Sequence, residues 1–334
     1  MGLLSSVHGM VKRVSMGFQP RAVVLMYHRI AKGIDDPFNL CVSPENFNEQ
    51  LEVLRRDYRV LRLEDILPLL REGNLPAKAT AITFDDGYAD NQQVAAVSLG
   101  RFGMPATVFV TSGYMDGRRE YWWDELVRFV TESRSDPAEW RLGDPKLISP
   151  GAAGITREEL LRQLQTFLRE QTPDRRESIL IRMADLAGLE RMVRDSHKPM
   201  TADECAAMSK RGWMTVGAHT VHHVWLSAID GAKQDFELRE SKRTLEEITG
   251  SSVHTLAYPY GRRDSVSQKT LLRVREAGFT LACANERGLV KADANPFWIP
   301  RCIPHNVDGE TFAKRMHAFF QDHSAVHAPC GRDV

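Results

Sequence analysis

Two short runs in this chain could carry chemistry: Thr83-Phe84-Asp85-Asp86-Gly87 and His219-Thr220-Val221-His222-His223. Each follows an apolar, β-branched stretch, Ala79-Thr80-Ala81-Ile82 in the first case and Trp213-Met214-Thr215-Val216-Gly217 in the second. Both therefore fall where a buried strand ends. One aspartate and two imidazoles four residues apart are a ligand set for a single divalent cation, with a position left open for water and substrate. That chemistry is hydrolytic. Each run alone has a plainer reading. Paired aspartates at a strand end often only cap a turn or a helix, because Asp accepts bonds from nearby backbone amides. Histidines at i and i+4 share a helix face whether or not they bind anything. At two strand ends of one chain, the runs reinforce each other. The side chain of His222 is expected to point away from the face shared by His219 and His223, which makes it a bystander.

The elements that must position these groups alternate in type. Strand-like runs fall at 23–27, 60–63, 81–84, 106–111, 215–218, 256–258 and 281–284. A helix is expected over 44–56, with Ser43 as N-cap and Phe47, Leu51 and Leu54 at helical spacing. Further helix-like runs lie at 64–70, 91–102, 202–211, 235–248 and 267–277. This alternation predicts parallel strands, and the number of units suits a barrel better than an open sheet. Active sites of such barrels gather at the C-terminal ends of the strands, where Asp85, Asp86, His219 and Tyr260 all fall. His28 ends the first strand and should project into the same mouth, and His305 follows the last.

The stretch from about 117 to 198 breaks the alternation. It opens on Tyr121-Trp122-Trp123-Asp124-Glu125-Leu126 and continues through charged, helix-prone sequence at 157–170 and 174–189. It reads as a helical insertion over the barrel mouth. Its tryptophans could stack on sugar rings or simply anchor the packing of the insertion.

Composition sets outer bounds. A length of 334 residues accommodates one barrel-sized domain. Lys plus Arg and Asp plus Glu each number 44, so no basic field draws nucleic acid. The cysteines at 41, 205, 283, 302 and 330 are odd in number and include no Cys-x-x-Cys pair, which argues for free thiols in a reducing compartment and hence a cytoplasmic location. Residues 1–20 form a separate N-terminal segment. Its start, Met1-Gly2-Leu3-Leu4-Ser5-Ser6, formally matches a myristoylation signal, a weak match. The segment lacks the apolar core of a signal peptide or membrane span, but could lie on a membrane surface as an amphipathic helix, a peripheral association. Residues 323–334 lack apolar periodicity and are expected to be a flexible tail.

The two runs together resemble the polysaccharide deacetylases of carbohydrate esterase family 4, with their NodB homology domain, in which the first motif reads TFDDG and the second H-[ST]-x-x-H. The resemblance extends from Val23-Val24-Leu25-Met26-Tyr27-His28-Arg29-Ile30 to Pro300-Arg301 and is weakest near 120–200. It implies an irregular (β/α)7 TIM-like barrel over residues 21–322, with Asp85 as general base and Asp86, His219 and His223 as metal ligands. The family's third motif, Arg-Pro-Pro-Tyr-Gly, stands here as Ala257-Tyr258-Pro259-Tyr260-Gly261, without its arginine. This form, with Met26-Tyr27-His28-Arg29, resembles the exopolysaccharide and poly-N-acetylglucosamine deacetylase branch. Arg301 is the candidate to supply the lost cation from another strand, and is counted with Tyr260 among the substrate-binding residues.

The resemblance implies hydrolysis of an N-acetyl group on an amino-sugar glycan or its precursor. The family's leucine and histidine motif for the general acid has no match near the C-terminus, which leaves His28, the preferred candidate, and His305. Zinc is the default cation for an Asp-His-His set, with cobalt, nickel or iron also accepted. Rival readings are a deacylase or deformylase acting on a lipid-linked sugar, another metallohydrolase on the same scaffold, and a non-catalytic glycan-binding protein.

Overall fold

The computed structural model describes residues 20–136, 140, 142 and 156–321. The N-terminal segment 1–19, the tail from 322 and Cys330 lie outside them. Strand β1 (Ala22–Tyr27) leads into a small two-stranded sheet, β2 (Arg29–Ile30) with β3 (Cys41–Val42). Helix α1 (Pro44–Asp57) starts as its sequence demands: Ser43 is extended, its side chain accepts from the Asn46 N–H, and Pro44 occupies the first turn, where no amide donor is needed. Then come β4 (Arg59–Val60), α2 (Leu63–Glu72), β5 (Ala79–Phe84), α3 (Ala96–Phe102) and β6 (Ala106–Val110). The insertion supplies α4 (Trp122–Glu132), α5 (Arg157–Arg169) and α6 (Pro173–Ala187). The chain resumes with α7 (Ala202–Ser209), β7 (Met214–Ala218), α8 (Gly231–Thr249), β8 (Thr255–Ala257), α9 (Gln268–Glu276), β9 (Leu281–Cys283) and α10 (Gly309–Gln321).

Seven of these strands form one curled, parallel sheet in the order β1-β5-β6-β7-β8-β9, with β4 attached to β5. β1 pairs with β5 along its whole length, so β4 and β6 share the other side of β5, β4 at Ala79–Thr80 and β6 at Thr83–Phe84. The 299–302 segment closes the gap between the last and first strands through single parallel bridges, Cys283 to Ile299 and Leu25 to Cys302. The result is a (β/α) barrel with an irregular seam.

Both faces of the strands are buried, and the side-chain alternation along a strand sorts them. Val23, Leu25, Tyr27, Ile82, Phe84, Val108 and Val110 belong to the large core shared with the helices. Ala22, Val24, Ala79, Ala81, Phe109, Ala257, Cys283 and Ile299 form a second cluster on the opposite face. Continued past the strand ends, that inward parity reaches Met26 and His28, Thr83 and Asp85, Gly217 and His219, Asn285, and Arg301. The period of two therefore delivers the candidate catalytic groups to one mouth. The insertion has a core of its own, in which Tyr121, Trp122, Leu126, Phe129, Leu164, Leu168, Leu180 and Met183 meet. No helix among the described residues is long and apolar enough to cross a membrane.

Candidate active site

Asp85 and Asp86 leave β5 through a tight turn. The Gly87 N–H donates to the Asp85 carbonyl at 2.9 Å across Asp86, whose φ is 72°. Left-handed backbone at a non-glycine residue costs of order 1–3 kcal/mol and persists where the surroundings over-determine it. Here the Thr111 N–H, at 3.0 Å, and the Tyr121 hydroxyl, at 2.7 Å, both donate to the Asp86 carbonyl. Gly87 must be glycine: at φ 86° a Cβ would lie 3.0–3.2 Å from Val110.

The turn splits the two carboxylates. Asp85 turns to Arg301, which donates to both its oxygens at 2.6 and 2.7 Å and anchors itself on the Ala284 carbonyl at 2.9 Å. Burial would raise the Asp85 pKa, but the Arg301 charge, with His219 and His28 adding to it, outweighs burial and holds the carboxyl below its ordinary value. Asp85 therefore stays ionised and oriented. Arg301 is an Asp85 partner rather than a substrate contact, contrary to its sequence-based placement: its side chain is 0% exposed and does not line the cavity. It does stand where the cation missing from Ala257-Tyr258-Pro259-Tyr260-Gly261 would be needed.

Asp86 turns to the histidines. Its Oδ1 lies 3.4 Å from Nε2 of both His219 and His223. The ligand atoms of the three residues all lie within 4.8 Å of one another. His219 Nδ1 donates to the Ala257 carbonyl at 2.8 Å, which turns Nε2 toward Asp86. Burial above all, then His219, Arg176 and His28, pushes the His223 pKa well below its ordinary value. Two imidazole nitrogens turned to one carboxylate, with burial disfavouring the charged form of His223, are a donor set that divalent ions bind, so the residues present fit such an ion.

The histidines do not share a helix face. Residues 219–223 form a loop after β7, with Thr220 at φ 63° and His223 at φ 50°. Two left-handed residues turn the chain so that His219 and His223 converge with ring centroids 4.9 Å apart. His222 points away, as its sequence position implies, with Nδ1 2.7 Å from Glu237 on α8.

A cavity of about 440 Å³ opens onto these groups. His28, Asp85, Asp86, His219, His223, Tyr260 and His305 all line it. The structure thus brings both candidate acids to one site. His28 follows β1, and its carbonyl is held at 2.8 Å by the Asn91 side chain. His28 is also among the groups that act on Asp85 and His223. Tyr260 sits at φ 62° in a turn like that of Asp86, closed by the Gly261 N–H on the Pro259 carbonyl at 2.7 Å. It packs its ring 4.8 Å from His223.

Trp122 and Trp123 line the cavity but are packing anchors first. Trp123 stacks on Tyr121 at 4.7 Å, donates to the Tyr88 hydroxyl at 2.7 Å, and rests its ring 4.5 Å from His223. Behind it, Tyr88 donates to Asp124 at 2.8 Å, and burial pushes the Asp124 pKa up to about 7, with Arg29 the main opposing charge.

Sequence reasoning overlooked Tyr121, Gln165, Asn285 and Glu237. Glu237 carried a usable signal, an acid on the helix face that also bears Gln234, Leu238, Ser241 and Leu245, all buried.

The polysaccharide deacetylase family model matches residues 72–135 and 189–282, and it leaves unmatched most of the insertion. YxkH of Bacillus subtilis, whose name describes it as a polysaccharide deacetylase, is 20% identical over 292 residues, covering 86% of this chain and 74% of YxkH. Among solved structures, the deacetylase PplD of Streptococcus pyogenes superposes with a TM-score of 0.60 at 20% identity, covering 90% of this chain and 99% of PplD. IcaB of Ammonifex degensii gives 0.57 at 19% identity, covering 90% and 97%. With TFDDG at the end of β5, the histidine loop after β7 and the matching family model, the chain belongs to the polysaccharide deacetylase family.

Proposed function

We propose that this chain hydrolyses N-acetyl groups on an amino-sugar glycan or glycan precursor, with a divalent cation held by Asp86, His219 and His223. The observation that carries this reading is the split of one aspartate pair: Asp85 forked by Arg301, Asp86 facing two imidazoles, both in one cavity. Zinc is the default occupant, and the donor set also suits cobalt, nickel or iron. A bound cation would polarise the acetyl carbonyl and acidify water at the site. Asp85, ionised and held by Arg301, takes the proton of the attacking water. The backbone N–H near Tyr260 is the candidate donor to the developing oxyanion. His28, which lines the same cavity, gives a proton to the leaving amine, so that a free amino sugar and acetate are the products. PplD, similar in fold, is described in complex with acetate.

Two experiments test the reading. Wild-type protein should bind about one divalent ion per chain, and His219→Ala should lose it, by elemental analysis of dialysed samples. Acetate release from N-acetylated amino-sugar oligomers should fall with the metal. A His219→Ala protein that keeps full occupancy would sink the ligand assignment. The acid is tested with two substrates. His28→Ala should slow an N-acetyl amide far more than an activated O-acetyl ester, whose leaving group departs with little help from an acid. His305→Ala should be mild on both, and a selective amide defect there would transfer the role to His305.

A further inference from the structure

The loop that carries both histidines makes few bonds to itself. Its polar backbone groups can be followed outward one at a time. The His219 N–H donates to the Val110 carbonyl at 3.0 Å, and the Ser112 and Gly113 N–H groups donate to the Thr220 and Val221 carbonyls at 3.1 and 2.9 Å. Gly113 permits that approach, since a Cβ there would fall 2.5 Å from the Val221 oxygen. Three further groups go to two buried side chains, Glu237 and Arg176. Glu237 Oε2 accepts from the Val221 N–H at 2.8 Å and the His222 N–H at 2.9 Å, and its Oε1 meets His222 Nδ1. From the other side Arg176, on α6 of the insertion, donates to the His222 carbonyl at 2.6 Å.

Both side chains are costly to place there. Arg176 is 2% exposed and has no carboxylate partner among the described residues, and its Nη1 is buried without a hydrogen-bond partner. The Trp122 ring lies 5.1 Å from its guanidinium carbon. Glu237 is 3% exposed and, among the described residues, pairs with no lysine or arginine, its side-chain partner being His222. Isolated buried charges normally lower stability, so a charge spent on one loop carbonyl has its return in that loop's shape. The shape needs holding: Thr220 and His223 are both left-handed, and an unheld loop would relax toward ordinary backbone angles and carry one imidazole away from Asp86.

We propose that Glu237 and Arg176 are positioning residues that clamp the Thr220–His223 loop from opposite sides, so that helix α6 of the insertion is a working part of the metal centre. The inference rests on the proposed role of His219 and His223 as ligands. It extends that role to two residues that touch neither ion nor substrate.

The test uses full-length metal-free protein and Co²⁺ as the probe. Outer partners of metal ligands typically govern affinity by about 10–100-fold. Glu237→Gln and Arg176→Met should each weaken Co²⁺ binding within that range and alter the d–d absorption of the bound ion. Arg176→Lys, which can still donate to the His222 carbonyl, should recover much of the loss. In the metal-free state, amide exchange at Val221 and His222 should speed up in Glu237→Gln, while the β1 and β5 amides keep wild-type protection. Should Glu237→Gln fail to fold, the Arg176→Met and Arg176→Lys pair decides the matter through affinity and spectrum. Wild-type affinity, spectrum and exchange in the variants would overturn the clamp alone. A wild-type protein that binds no divalent ion would remove the ligand reading and with it the clamp's purpose, and the exchange data would still report whether the loop is held.

Discussion

Asp85→Asn is expected to bind its divalent ion as wild type does and to lose about 10²–10⁴-fold in turnover, the usual cost of removing a general base. The amide keeps the shape of the side chain and can still accept from one arm of Arg301, but it cannot take a proton from water. Metal should stay because Asp86, not Asp85, faces His219 and His223. Metal content and acetate release measured on the same preparation separate the two roles. Loss of the ion would make Asp85 a ligand or a support for one, and near wild-type acetate release would reduce it to a turn carboxylate.

Arg301→Met should be the most damaging single change to stability at this site. Both partners are fully buried, and removing one member of a buried pair commonly costs about 3–5 kcal/mol, because the other charge is left uncompensated. The loss should depend on pH in a defined direction. In wild type the folded Asp85 pKa is depressed, so the pair's contribution is present above the unfolded carboxylate value of about 3.9 and fades as pH falls through the lower folded value. Without Arg301, burial dominates and the folded pKa rises above the unfolded one. The variant's deficit should then be largest near neutral pH and shrink on acidification, as Asp85 takes up a proton. Urea unfolding at pH 7 and pH 5 measures this, and a deficit equal at both would assign the cost to lost packing. The same rise should move the acid limb of the rate profile to higher pH. Arg301→Met in an Asp85→Asn background should cost much less, since the partner is already neutral.

How much of this was legible follows from the range of each interaction. Strand placement was readable because strands buried on both faces are apolar runs ended by turn residues. Their positions at the C-terminal ends of parallel strands put His28, Asp85 and His219 at one mouth before any contact was known. The Ser43 N-cap and the helices of the insertion were readable for a similar reason, since capping and amphipathic spacing act within a turn or two.

Other features depend on groups far apart in the chain. The fork of Arg301 on Asp85 joins residues 216 positions apart, and nothing local to Trp298-Ile299-Pro300-Arg301 tells a buried counter-ion from a substrate contact. The histidine spacing fits a helix and a loop equally, and only the bonds from Ser112, Gly113, Glu237 and Arg176 select the loop. Trp122 and Trp123 are aromatic enough for sugar stacking, and only the fold shows that Trp123 is packed against Tyr121, Tyr88 and His223 while both rings still line the cavity. Local periodicity and turn chemistry determine which residues reach the mouth of the barrel. Which of them share charge, and in what backbone conformation, is decided by tertiary contacts, because a buried ion pair or a left-handed residue is stable only once the rest of the fold surrounds it.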